Sequence, residues 1–203
     1  MGRRSRRSSP RRSRRGKVLA RLNPAESAAV LRALLERHPE LVGEAEEIAR
    51  ATVTEVDVSA VAEDVAQAVL DLDLEDLGAR AGRKISGYVE PTEAAWELLE
   101  EAVDPFIDEM KRHIELGFDA AATAMCAGIV LGLYRCRGTT TDRVLGWAED
   151  FPEETASYAV ATLTRDSRTK HRRAWRLPQP ILDAVPEWTA MLDPVCKPAS
   201  RRR

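Results

Sequence analysis

The sequence feature that most constrains the fold is an uncharged run over residues 120–134, with a charged side chain at each end. Within it Ala124, Gly128 and Gly132 recur at four-residue spacing, which on a helix leaves a groove where another backbone can approach closely. A membrane span is the alternative, but the run is shorter than the roughly 20 apolar residues that cross a bilayer. We therefore predict a central, buried helix, whose groove serves either an internal contact or a homo-oligomer.

The segment before this run predicts two helices. Apolar residues over 95–103 recur at the i, i+3, i+4, i+7 and i+8 spacing of one helix face, and acidic side chains occupy the opposite side: Glu93, Glu97, Glu100, Glu101 and Asp104. Asp104 and Pro105 then have the residue types typical of an N-cap and a first helical position. We predict that a new helix begins there, at an angle to the first.

Helix start signals recur through the first half of the chain. Asn23, Pro24 and Glu26 form a capping-box pattern. A third helix is predicted to start at residues 57–59, and Asp73 and Asp76 can cap a short fourth one. Between the first of these helices and the start at residues 57–59, another helix is predicted over residues 39–52. On each of the first two helices the apolar face is predicted to be buried. These faces contain Val30, Leu31, Leu34, Leu35, Leu41, Ala45, Ile48 and Ala49.

The composition favours helix over sheet, because alanine, leucine, glutamate and arginine dominate and β-branched runs are scarce. The 203 residues suffice for one substantial domain. We predict an all-α protein, a helical bundle or a short helical-repeat-like array. Residues 1–20 are expected to be a disordered Arg-rich tail, residues 21–164 the helical domain, and residues 165–203 a basic, proline-interrupted extension.

The charge is divided along the chain, although the whole chain carries only −2. Residues 1–17 hold nine Arg or Lys and residues 197–203 hold four, so the segment 18–196 carries 18 positive charges against all 33 acidic ones. The tail has three interpretations: a nucleic-acid or anionic-surface arm, a solubility tail, or an extension from a wrongly chosen start codon. Its candidate nucleic-acid contacts are Arg3, Arg4, Arg6, Arg7, Arg11, Arg12, Arg14 and Arg15.

A second basic stretch is the stronger nucleic-acid candidate, because Trp175 accompanies Arg172 and Arg173, and bases stack on aromatic rings. The alternative is a solvated helix extension whose cations pair with the acidic body. The apolar residues after it are expected to dock on the domain or on a partner.

The link over residues 80–90 is the most irregular part of the predicted domain, with two glycines and a local positive charge. Its candidate ligand-facing residues are Arg80, Arg83, Lys84 and Tyr88. A plain connector is the alternative interpretation.

No pattern typical of catalysis or of cofactor or metal binding occurs. The sequence has no GxSxG, GxxxxGK[ST] or HExxH motif, and the three cysteines lack CxxC spacing. We therefore predict no catalytic, cofactor-binding or metal-ligating residues. The arginine pairs lack the apolar region of an export signal, so we expect a cytoplasmic protein that does not enter a membrane.

The run AGRKISGYVEPTEAAWELLEEAVDPFIDEMKRHIELG, with the later GIVLGLYR and LGWAEDFPEE, resembles an all-helical family of high-GC Gram-positive (actinobacterial) proteins of unknown function. Some of its members accompany SWIM-type zinc-finger proteins. The resemblance covers roughly residues 24–164 and implies a bacterial cytoplasmic protein, with no catalytic residues to carry over. The paired Cys and His of a SWIM finger are absent from this sequence, so no zinc or DNA role follows.

Three functions are compatible with these observations. The leading hypothesis is a non-enzymatic helical domain that binds a macromolecule, with a protein as its partner, because amphipathic helices abound and a catalytic constellation is lacking. The second is a nucleic-acid-associated protein that uses its basic terminal segments. The third is an enzyme whose site would be a concave pocket with perturbed titratable groups.

Overall fold

The computed structural model describes residues 18–84, 87–138, 143–171 and 176–192, without the side chains of residues 84 and 166–171. The prediction of an all-α bundle is confirmed. In this part of the chain the elements are α1 (Pro24–Arg37), α2 (Val42–Thr54), α3 (Val58–Leu70), α4 (Leu74–Arg80), β1 (Gly82–Lys84), β2 (Gly87–Val89), α5 (Pro91–Glu115), α6 (Asp119–Cys136), α7 (Phe151–His171), α8 (Gln179–Ala184) and α9 (Thr189–Leu192).

The chain divides into two compact units, Met1–Thr52 and Val53–Arg203. In the first, the predicted capping box is present: the Asn23 side chain accepts from the Glu26 N–H at 2.9 Å, and Glu26 accepts from the Asn23 N–H at 2.9 Å. The prediction of buried faces for α1 and α2 is wrong, because neither helix holds a buried residue. Two short helices cannot enclose a side chain between them, so the apolar face of α1 stays 44–51% exposed at Val30, Leu31 and Leu34.

The second unit is organised around α6, as its uncharged sequence predicts. This helix packs most extensively against α3 and also against α5 and α7. Its buried residues lie on all sides of the helix: Ala121, Ala122, Met125, Cys126, Ala127, Gly128, Ile129, Val130, Gly132, Leu133 and Cys136. No helix in the described part of the chain has the length and apolar character needed to cross a bilayer.

The glycines of α6 serve an internal contact, which decides between the two predicted uses of the groove. A Cβ atom built on Gly132 would lie 2.7 Å from the carbonyl oxygen of Ala62 and 2.7 Å from Cβ of Val65. One built on Gly128 would lie 2.5 Å from Cβ of Val61. Helix α3 therefore approaches α6 as closely as only glycine allows.

The prediction of a helix start at Pro105 is wrong, because α5 continues through it. Leu99, Val103, Ile107 and Met110 are almost fully buried and form one stripe on both sides of the proline. Pro105 lies on the exposed side, and its missing N–H removes one hydrogen bond from the helix. Burial of the continuous stripe outweighs that local cost, which sequence signals around the proline do not show.

The irregular link predicted over residues 80–90 contains a β-hairpin. Strands β1 and β2 are antiparallel, with Arg83 opposite Tyr88, and Gly82 and Gly87 take positive φ angles of 90° and 140°. Each strand has three residues, too few to show an alternating pattern in the sequence. Val89 packs against the core of the second unit and anchors the hairpin.

The segment 176–192 packs into the core of the second unit, to which it belongs, and this is the predicted docking on the domain. Leu182, Val185, Trp188 and Leu192 are buried in its core. The Trp188 ring packs edge-on against Tyr134 of α6, with centroids 5.0 Å apart. The predicted domain limit at residue 164 falls inside α7, and the domain limits stay a prediction.

Candidate binding cleft between α5 and α7

The second unit contains an open cleft of about 390 Å³ between α5 and α7. The α5 residues that line it lie at positions 96, 100, 103, 104, 107 and 111, which form one face of a helix. The α7 residues lie at positions 151, 154, 155 and 158, again at helical spacing. Two helix faces that are distant in sequence therefore form the two walls.

The floor of the cleft is aromatic and aliphatic. Trp96 packs edge-on against the fully buried Phe151, with ring centroids 5.0 Å apart and an interplanar angle of 70°. Val103 and Ile107 are also buried there, while Tyr158 at the rim is 51% exposed. The buried neighbours hold Trp96 in place, and a ligand can contact Trp96 and Tyr158.

Three acidic side chains, Glu100, Asp104 and Glu154, flank this floor, and we call them the cleft carboxylates. Glu100 and Asp104 are one helical turn apart on α5, and Glu154 faces them from α7. All three are exposed, and among the described residues none forms a salt bridge. The cleft therefore presents negative charge beside aromatic surface.

The cation of the cleft, Lys111, is already engaged. Its Nζ atom donates to Oδ1 of Asp108 at 3.2 Å and lies 5.8 Å from the centroid of the Tyr158 ring. The pKa of Lys111 is raised, mainly by the hydrogen bond to Asp108 and further by Tyr158. A lysine held in its charged form and paired with Asp108 leaves the cleft carboxylates uncompensated.

A second depression of about 590 Å³ adjoins the cleft and shares Glu154 and Tyr158 with it. Asp150 and Glu153 line it, together with Met191 of α9. These acids belong to the start of α7, where the partial positive charge of a helix N-terminus favours them. The acidic, partly apolar surface therefore continues from the cleft across α7.

The candidate loop residue Arg80 is engaged within the second unit. Its guanidinium group donates to both carboxylate oxygens of Glu101, at 2.7 and 2.8 Å, and lies 3.8 Å from Glu97. This hydrogen bond raises the pKa of Arg80 and lowers that of Glu101. The pair joins α4 to α5, and its contribution is lost as the pH falls through the lowered pKa of Glu101.

The other candidate loop residues lie on the hairpin. Arg83 and Tyr88 are exposed and directly opposite each other, so they share one face of the two strands. Lys84 closes β1, and its side chain is outside the description. The hairpin thus brings Arg83 and Tyr88 together, whereas the side chain of Arg80 is paired with Glu101 of α5.

The candidate nucleic-acid residues all lie outside the described residues. These are the eight arginines of the tail, together with Arg172, Arg173 and Trp175. Their role stays a prediction.

The described cysteines, Cys126 and Cys136, are buried and are not joined by a disulfide. Burial raises the pKa of the Cys126 thiol to about 12 and that of Cys136 to about 11. The Sγ atom of Cys136 donates to the carbonyl of Gly132 at 3.3 Å. In the described part of the chain no three His, Cys, Asp or Glu side chains are close enough to hold a metal ion.

We expect these two thiols to be unreactive in the folded protein. In a Cys196→Ser variant, Ellman's reagent at about pH 8 should label neither Cys126 nor Cys136, because only the thiolate reacts and burial disfavours it. Both should react after unfolding in guanidinium chloride. Rapid labelling under native conditions would show that α6 is less protected than its burial indicates.

His113 is a buried polar residue outside the cleft. Its Nε2 atom lies 3.6 Å from Oε1 of Glu109, and its Nδ1 atom has no hydrogen-bond partner among the described residues. Its ring also lies near Phe118, with centroids 6.5 Å apart. His113 lies in the last turn of α5, with its side chain turned into the core.

Comparison with protein-family models, with curated proteins and with solved structures finds no match to this chain. The family resemblance of the sequence stays a prediction. The cleft itself is a feature that sequence reasoning missed. Its available signal was the four-residue spacing of Trp96, Glu100 and Asp104, at the border of the buried stripe of α5.

Proposed function

We propose that this protein is a non-enzymatic interaction domain that binds a cationic, arginine-bearing segment of a protein partner in the α5–α7 cleft. The observation that carries the proposal is the placement of the cleft carboxylates beside Trp96 and Tyr158. Guanidinium groups stack on aromatic faces and pair with carboxylates through two parallel hydrogen bonds. Both kinds of contact are available within one cleft.

The chemistry of the lining residues favours binding over catalysis. A lysine that acts as a general base needs a lowered pKa, whereas the hydrogen bond to Asp108 raises that of Lys111. The described lining residues of the cleft include no histidine or cysteine. Exposed carboxylates on a helix surface suit ion pairing with a partner and not proton transfer in a water-excluded site.

The proposal predicts arginine-dependent binding at the cleft. Fluorescein-labelled octa-arginine should bind the full chain in an anisotropy titration at low salt. Glu100→Gln, Asp104→Asn and Glu154→Gln together should weaken binding about tenfold, or ~1.4 kcal/mol. Tyr158→Ala should weaken it as well, and octa-lysine should bind less tightly than octa-arginine because an ammonium cannot match the planar, bidentate contacts.

A variant with the same charge change separates a site from general attraction. Glu55→Gln, Glu75→Gln and Glu115→Gln remove three exposed acids that line neither depression. When both triple variants are compared at about 0.1 M salt, where charges beyond about 10 Å are largely screened, this charge-matched control should weaken binding clearly less than loss of the cleft carboxylates does, because none of its three side chains lines the cleft. Equal weakening by the two triple variants, or no binding of octa-arginine, would contradict the proposal.

A further inference from the structure

The depression that adjoins the cleft lies on the other side of a ridge on α7, and we call it the α7–α9 depression. Glu154 and Tyr158 form this ridge, since both line the cleft and the depression. Thr155 lines only the cleft, whereas Ser157 and Ala161 line only the depression. The two sets of positions lie on two sides of one helix face. A single partner segment that crosses the ridge can therefore contact both.

The α7–α9 depression has an apolar part of its own. Met191 of α9 and the exposed Ala161 of α7 lie there beside Tyr158. Met191 also packs against the core of the second unit, and its Sδ atom accepts from the hydroxyl of Ser157. Methionine is a flexible and polarisable side chain that adapts to apolar ligands. This part of the depression therefore suits an aliphatic side chain.

We propose that the α7–α9 depression is a second subsite, which binds a leucine-sized aliphatic side chain of the same partner segment whose arginine occupies the cleft. This inference rests on the proposed function, because the arginine in the cleft fixes the segment beside the ridge. It adds a statement of the partner's chemistry: an arginine and an aliphatic side chain a few residues apart, within a segment of net positive charge.

Charge complementarity favours a cationic segment as the occupant of the depression. Asp150 and Glu153 flank its apolar part and are exposed. Among the described residues neither of them forms a salt bridge. An acidic partner would be repelled there, and a second copy that presented the same face would bring like charges together. A basic segment with an aliphatic residue avoids both costs.

The width of the α7 ridge limits the spacing of the two side chains in the partner. Packed helices lie about 8–10 Å apart, so the grooves on two sides of a helix are separated by a similar distance. An extended segment advances about 3.3 Å per residue. A leucine about two to four residues from the arginine can therefore reach the depression.

Two peptides of equal charge test the second subsite in the full chain. One is fluorescein-labelled octa-arginine extended by two leucines at each end, and the other has serines in place of the leucines. The leucine peptide should bind about tenfold more tightly, or ~1.4 kcal/mol, because the depression removes part of a leucine side chain from water. Ala161→Gln should abolish this difference and leave binding of the serine peptide unchanged, since a polar side chain then occupies the depression.

Ala60→Gln is the matched control for this substitution. Ala60 is an exposed alanine of α3 that lines neither the cleft nor the depression, so the tenfold difference between the peptides should persist. Equal binding of the two peptides to the unsubstituted chain would overturn the proposal. Persistence of the difference in Ala161→Gln, or its equal loss in both variants, would overturn it as well.

NMR signals on the two sides of the ridge separate this inference from the proposed function. The indole N–H signal of Trp96 should shift with both peptides, and the methyl signal of Met191 with the leucine peptide alone. If Trp96 shifts with both peptides while they bind equally and Met191 is unaffected, the second subsite is wrong and the proposed function stands. If neither peptide shifts the Trp96 signal, the proposed function fails, and this inference fails with it.

Discussion

Replacing Gly132 by alanine should destabilise the protein by roughly 1–3 kcal/mol, the usual cost of overpacking a core. The added Cβ would lie 2.7 Å from the carbonyl oxygen of Ala62, which belongs to the backbone of α3 and cannot rotate away. Helix α3 would have to move from α6 along the most extensive helix contact of the second unit. The helix propensity of alanine offsets only up to about 1 kcal/mol of this. Denaturant unfolding followed by circular dichroism measures the change.

Gly78→Ala is the matched control for this substitution. Gly78 also lies within a helix, α4, but a Cβ atom built on it meets nothing within 4 Å. The same chemical change should therefore raise stability by up to about 1 kcal/mol, through the helix propensity of alanine alone. Equal effects of the two substitutions would show that the α3–α6 approach is not as close as the glycine contacts indicate.

Replacing Pro105 by alanine should stabilise the protein by roughly 1–3 kcal/mol. Alanine restores the N–H group that can donate to the carbonyl of Glu101, and it removes the steric conflict of the proline ring with that turn of α5. The position is exposed, so no core contact is lost. Thermal and denaturant unfolding should both show the increase.

Pro91→Ala serves as the comparison within the same helix. Pro91 is the first residue of α5, where its N–H would have no helical partner and its fixed φ suits the helix. Its replacement should change stability by less than about 0.5 kcal/mol. A loss of stability in Pro105→Ala, or an equal gain in both variants, would contradict the account of Pro105 as a tolerated interruption of one continuous helix.

The parts of the fold that could be predicted are those set by neighbouring residues. The Asn23 capping box and the cap at Asp73 are confirmed, because each joins a side chain to a backbone N–H within three residues. The helix start predicted at residues 57–59 is confirmed as well, with Asp57 as its N-cap. The central position of α6 is confirmed as well, since a helix without charged side chains over four turns has no face suited to water.

Local signals failed where a distant contact decides. Pro105 has the features of a helix start, yet α5 continues past it, because the residues on both sides pack on α6. Leu31 and Leu34 have the spacing of a buried face, yet α1 encloses no side chain within its unit. The hairpin beside α5 was missed because strands of three residues depend on pairing with each other, which no short pattern encodes.

The candidate site shows the same division. Glu100 and Asp104 were recognised as the solvated side of a helix, and this is correct for each residue separately. Their combination with Phe151 and Tyr158 could not be predicted, because these residues are about fifty positions away on α7. Only the packing of α5 and α7 turns two ordinary helix surfaces into one acidic, aromatic cleft.

The sequence by itself determined the helical class, the helix caps, the uncharged centre and the separation of a basic tail from an acidic body. These follow from side-chain period, local hydrogen bonding and charge, which need no knowledge of the rest of the chain. The tertiary structure alone decided which helix faces meet, that the α6 glycines receive α3, and where the cleft lies. Those outcomes depend on the apolar surface that elements distant in sequence bury together. The free energy of this burial outweighs a local preference, such as the tendency of a helix to start at Pro105.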